Sequence, residues 1–297
     1  MSSRRATEAT NGRLDATIAS LSNRSPIAIR PLAGVLALVP ILGTLLYRIG
    51  NNVPGSLSAS VTELVTVVLP FVAVGPAFAG LLLAAATDRP GERVGLAFVG
   101  GFGLIALAAR GAWYPAAGGV VFGGLFVTGS IAVRSWRSDR LEGVRYPVVA
   151  AVLVVAVVAS IVATAGISPA TFRPLGSSVA LFGIGLTPVL VGTDRLSLAA
   201  GVVAGALALN AAITLPFVTG AVLLVGGGVV GAPIALVVFA VGGGVAGLIA
   251  ALRRGQFDRA CGAGVLLAAG VPAVLLQALG VFVALALLAD EPGGDAL

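Results

Sequence analysis

From Pro31 to Ala289 the chain is a near-unbroken series of apolar runs separated by short polar breaks. Each run has about the length of a bilayer-crossing helix, roughly 17–25 residues. This pattern leaves few folds open. In hydrocarbon every backbone N–H and C=O must be satisfied inside the protein, which restricts spanning structures to helices and closed barrels. The runs lack the alternation of apolar and polar residues that a barrel strand needs. An all-α, polytopic bundle of transmembrane helices follows. Composition agrees: only 10% of the 297 residues are charged and 58% are hydrophobic, against roughly 25% charged in soluble domains. Lipid is therefore the outer solvent.

The breaks divide the chain into about nine predicted spans, at 31–48, 61–87, 93–113, 115–133, 146–167, 175–192, 196–218, 230–252 and 261–289. Residues 1–29 read as a disordered cytoplasmic tail without the apolar stretch of a signal peptide. Residues 30–289 form the transmembrane domain, and 290–297 an acidic extracytoplasmic tail.

All 18 basic residues are arginine, and they fall in the breaks. With the N-terminus inside, fifteen of them lie on the inner side and only Arg48, Arg110 and Arg173 outside. That asymmetry follows the positive-inside rule, predicts an N-in, C-out orientation in the cell membrane, and accounts for the net charge of +6 without nucleic acid. The stretch 196–252 is long for two crossings and barely sufficient for three. Three would place Arg253 and Arg254 outside, so two are expected. The surplus, Thr219 to Gly231, then extends a neighbouring helix or forms a short re-entrant piece. Both tryptophans and all three tyrosines stand at predicted span ends, where amphipathic rings settle.

Residues able to carry chemistry are few. There is no histidine, and Cys261 is the only cysteine. A disulfide framework is excluded, and neither a metal centre nor a bound cofactor is expected. No carboxylate falls near a predicted mid-membrane position, and catalysis is not expected. Asn210 and Gln277 are amides at depth, and Glu63 opens the second span near the outer surface. These are candidate intramembrane polar contacts, either between helices or to a substrate. Pro70 and Pro76 are candidate hinges, since proline removes a helical donor and kinks the helix; plain kinking is the alternative. Small residues four apart (Gly119 and Gly123, Gly201 and Gly205, Gly227 and Gly231, Gly243 and Gly247) permit close helix approach, within the bundle or in a homo-oligomer. Asp88 with Glu92, and Asp139 with Glu142, read as local ion pairs among the inner arginines. The outer Arg48, Arg110 and Arg173 are candidate anion-binding residues, because a guanidinium fork suits phosphate or carboxylate. The alternative is snorkelling, with Arg48 paired to Glu63.

The opening Arg30-Pro-Leu-Ala-Gly-Val-Leu-Ala-Leu-Val-Pro40 with Tyr47-Arg48 resembles uncharacterised multi-pass membrane proteins of halophilic archaea, some labelled phosphate ABC transporter permeases. Ala199-Ala200, Gly205 and Ile213-Thr214-Leu215-Pro216 echo fragments of the permease coupling loop, without its glutamate. The resemblance implies transport of a phosphate-like anion, with a separate ATPase or binding-protein subunit, since the chain has no P-loop. A non-transporting scaffold or accessory subunit of a membrane complex is the other reading.

Overall fold

The computed structural model describes residues 26–52, 63, 74–109, 113–137, 142–214, 233–268 and 274–289. The described chain is helical: α1 (Pro26–Asn52), α2 (Val74–Ala86), α3 (Pro90–Ala108), α4 (Trp113–Arg137), α5 (Glu142–Thr164), α6 (Pro169–Gly185), α7 (Thr187–Val191), α8 (Arg195–Thr214), α9 (Ile234–Arg253), α10 (Phe257–Ala268) and α11 (Val274–Leu288). Among the described residues seven segments are long and apolar enough to cross a membrane, the sixth and seventh helices together making one of them. The described part of α2 is shorter. Pro70 and the remainder of the predicted 61–87 span lie outside the described residues, apart from Glu63, which is helical and exposed.

Consecutive helices pack antiparallel across small residues. Gly95 of α3 lies against Gly123 and Val127 of α4, and Gly119 against the ring of Phe102. Gly176 and Gly183 of α6 meet Ser160 and Leu153 of α5. A methyl group at Gly201 of α8 would come within 2.5 Å of the Gly242 carbonyl on α9. Gly243 and Gly247 of α9 pack on Gly185 and Thr187. Three of the four glycine pairs thus serve packing inside the bundle, and Gly227 with Gly231 lies outside the described residues. Lipid offers no hydrophobic drive between helices, so close backbone approach supplies the van der Waals contact that holds them.

The breaks 192–194 and 254–256 sit side by side. Arg253 Nη1 lies 2.5 Å from Asp194 Oδ2, and Arg254 donates to the Val191 carbonyl. From these breaks α8 and α9 run side by side and antiparallel, Gly201 against Ala246 and Gly205 against Val238. Thr219 to Gly231 lies outside the described residues.

The predicted span 261–289 is corrected. It is two helices, α10 and α11, folded back on one another: Gly262 lies against Ala284, Leu287 and Leu288. In a single helix those residues would be more than about 30 Å apart. The described parts of α10 and α11, 12 and 15 residues, reach about 18 Å and 22 Å, each short of the roughly 30 Å hydrocarbon core. The returning helix, α11, is buried on every face from Leu275 to Ala289 and is packed by α1, α2, α3, α4, α5 and α10.

That geometry also overturns the C-out assignment. Arg30, near the start of α1, bonds Asp258 at the start of α10 and the Ala286 and Leu287 carbonyls at the end of α11. The last helix therefore ends where the first begins. Reporter fusions at Gly192, at Gly255 and after Leu297 are expected to report one and the same side. A C-terminal fusion opposite to the other two would mean that 257–288 crosses the membrane.

Candidate functional site

The hairpin is held at one end of the bundle by groups from distant parts of the chain. The final carbonyls of a helix have no intrahelical partner, and α11 ends away from water. The Tyr146 hydroxyl, from α5, donates to the Leu285 carbonyl at 3.2 Å. Arg30 Nη2 donates to the Ala286 and Leu287 carbonyls, each at 3.3 Å. A cation here also complements the negative end of the helix dipole. The guanidinium needs its own counterion, and Asp258 supplies it at 3.2 Å from Nε. Cys261, one turn along α10, is buried against Gly34 of α1.

A second cluster joins α3 to α4. Arg89 and Arg134 both approach Glu92 Oε1, at 3.2 and 2.7 Å. Glu92 is nearly buried on the first turn of α3, and Arg134 comes from the far end of the next helix. The local pairs expected here are present, Arg89 with Glu92 and Asp88 with Arg93 at 3.8 Å on the surface; the bond from Arg134 to Glu92 adds a long-range one. Asp139 and the side chain of Glu142 lie outside the described residues.

The third cluster closes the α7–α8 turn. Ser197 N–H donates to Asp194 Oδ1 at 2.7 Å while Asp194 N–H donates to Ser197 Oγ at 3.0 Å. This reciprocal capping box starts α8. The bond from the Ser197 backbone, with help from Arg253, holds the Asp194 carboxyl below the usual carboxylate range.

All three clusters occupy the arginine-rich end. The residues singled out from sequence are placed differently. Arg110 and the side chain of Arg48 lie outside the described residues, and Arg173 is exposed on α6. Gln277 is buried on α11, whereas Asn210 is exposed on α8. The reason is angular: α8 packs on α9 through Gly201 and Gly205, and five further residues turn the side chain about 140° away. Pro76 is buried in the first described turn of α2. From sequence, Arg30 is legible only as a topogenic charge and Tyr146 only as an interfacial ring. The one signal in the sequence was Asp258 standing within a turn of an apolar run.

Apolar helices of spanning length, a buried hairpin and ion pairs gathered at one end define a multi-pass integral membrane protein. Residues 30–289 match the integral membrane family of unknown function (DUF8068), and the chain belongs to that family. No curated protein and no solved structure matches it.

Two expectations follow. Arg30→Gln should lower the thermal midpoint in detergent, losing about 2 kcal/mol from the charged hydrogen bonds it makes. Arg93→Gln, whose ion pair is exposed, should change it little. An Arg30→Gln midpoint equal to wild type would show that the α11 carbonyls are satisfied without it. Asp194 gives a pH signature. Its folded carboxyl is more acidic than the unfolded one, so its contribution is complete above about pH 4 and fades as pH falls through the lower folded value. Asp194→Ala should melt below wild type at pH 7 and converge with it toward pH 3, as followed by melting across that range. A constant gap would refute the linkage.

Proposed function

We propose that this is a transporter-type membrane protein whose working element is the α10–α11 hairpin. The observation that carries the reading is a pair of short helices folded back on one another, with both outer ends at one end of the bundle, packed by α1 to α5 and α9. Backbone that breaks at membrane depth is tolerated where it is buried in protein or lines a water-filled path. Transporter folds use such discontinuous helices to form midplane sites. By the positive-inside rule the arginine-rich end faces the cytoplasm, which puts both α1's start and α11's end there, in a cell membrane. The substrate class we favour is a phosphate-like anion, from the permease resemblance, with energy from a separate ATPase subunit. The protein performs no chemistry of its own in this reading.

The scaffold reading keeps one specific support. The hairpin is closely packed: Gly124 of α4 sits on the Phe282 ring, and Gly103 of α3 on Leu279.

Thiol accessibility separates the two. Cys261→Ala leaves a cysteine-free chain, into which Ala263→Cys or Leu279→Cys is introduced; both positions are fully buried on the hairpin. Ala156→Cys, buried on α5, is the control. If the hairpin moves in a transport cycle, a membrane-impermeant maleimide should label both hairpin thiols at least about tenfold faster than the control, the signature of a minor open state. Inorganic phosphate should change that rate. Labelling no faster than at the control leaves the scaffold reading standing.

A further inference from the structure

We propose that the groove between α3 and α4 at the arginine-rich end binds one anionic phospholipid, headgroup on Arg89 and Arg134 and acyl chain along α4. The groove has a volume of about 680 Å³ and is lined by Arg89, Glu92, Phe126, Gly129, Val133 and Arg134 among others. Its charge is graded along the membrane normal. Arg134 and Arg89 stand at the mouth, where the breaks at 87–89 and after Arg137 reach the interface. Val133, Gly129, Phe126 and Leu125 follow toward the bilayer centre, nine residues of α4 or about 14 Å. Leu125, Phe126 and Val133 are exposed on the outside of the bundle, which in this protein means exposed to lipid.

Among the described residues that line it, the mouth sets two guanidinium groups beside one carboxylate. Because both converge on the same Glu92 oxygen, the carboxylate aligns the two forks side by side. Arginine forks recognise phosphate oxygens by paired charge-assisted hydrogen bonds. Basic pockets between transmembrane helices at the interface are suited to phosphorylated headgroups. The floor then decides between a lipid and a free anion. Gly129 has nothing within 4 Å of where a Cβ would stand, so the notch below the arginines is open. It continues onto the rings of Phe126 and Phe122, which stack at 6.3 Å. A soluble anion would use the mouth and leave this apolar track empty; a phospholipid covers both. The proposal does not depend on the transport reading or on which face of the membrane the arginines occupy.

The test is native mass spectrometry of the full chain released from mixed phosphatidylglycerol and phosphatidylcholine bilayers. Wild type should retain phosphatidylglycerol in preference to phosphatidylcholine. Arg89→Gln should cut that retention about tenfold, the loss expected of a charge-assisted hydrogen bond. Gly129→Leu fills the notch without meeting packed neighbours, so it should fold normally, melt like wild type in phosphatidylcholine, and lose the lipid to a similar extent. It keeps the test decisive if Arg89→Gln is poorly folded. Equal retention of both lipids, unchanged phosphatidylglycerol on folded Gly129→Leu protein, or displacement of the lipid by millimolar inorganic phosphate would each overturn the proposal.

Discussion

A helix that ends inside a low-dielectric bundle must have its last carbonyls capped, and in this protein that requirement ties the whole fold together. An unsatisfied carbonyl in hydrocarbon costs several kcal/mol, and α11 has three of its terminal carbonyls answered by Arg30 and Tyr146. Those donors come from α1 and α5, more than a hundred residues away. Arg30 in turn is tolerable at its half-buried position because Asp258 neutralises it. One set of contacts therefore fixes α1, α5, α10 and α11 relative to one another. It also fixes the side on which the last helix ends.

Around that anchor, the remaining helices close by steric fit. The hub helix is buried on all sides, so its neighbours must approach it with little between. Gly103 and Gly124 leave room for Leu279 and Phe282. The periphery behaves oppositely. Helix α8 touches its surroundings chiefly along the Gly201–Gly205 face and offers Val202, Leu207 and Ile213 outward. Such a face in water would drive aggregation; in lipid it is the ordinary outer wall of a bundle. The ion pairs of Glu92 and Asp194 add an electrostatic tie at the arginine-rich end, between α3 and α4 and between the α7–α8 turn and α9.

Much of this was legible beforehand. Apolar run length marks the helices, and arginine placement groups the breaks that share an end, including 192–194 with 254–256. The arginine count succeeded there because topogenic charge acts locally on each break. It failed for 261–289, which is apolar but for Gln277 and carries no arginine to report a reversal. Its 29 residues exceed a single span of roughly 17–25, and Gly270 and Pro272 interrupt it, but neither feature distinguishes a long tilted helix from a hairpin. Asn210 illustrates a related limit. Its depth was readable from its position in the run, but the face it occupies depended on which side of α8 the glycines packed.

The sequence by itself determined that this chain lives in a membrane as helices, where those helices lie, and which breaks gather at one end. These are properties of hydropathy and charge taken along one dimension, and bilayer thickness translates them directly into structure. Only the tertiary structure decided that the last apolar run turns back, that Arg30 closes the end of α11, and that Glu92 pairs with Arg134. Those outcomes rest on hydrogen bonds and close contacts between residues far apart in the chain, and in a dry interior such pairings are chosen by geometry that no local pattern of residues records.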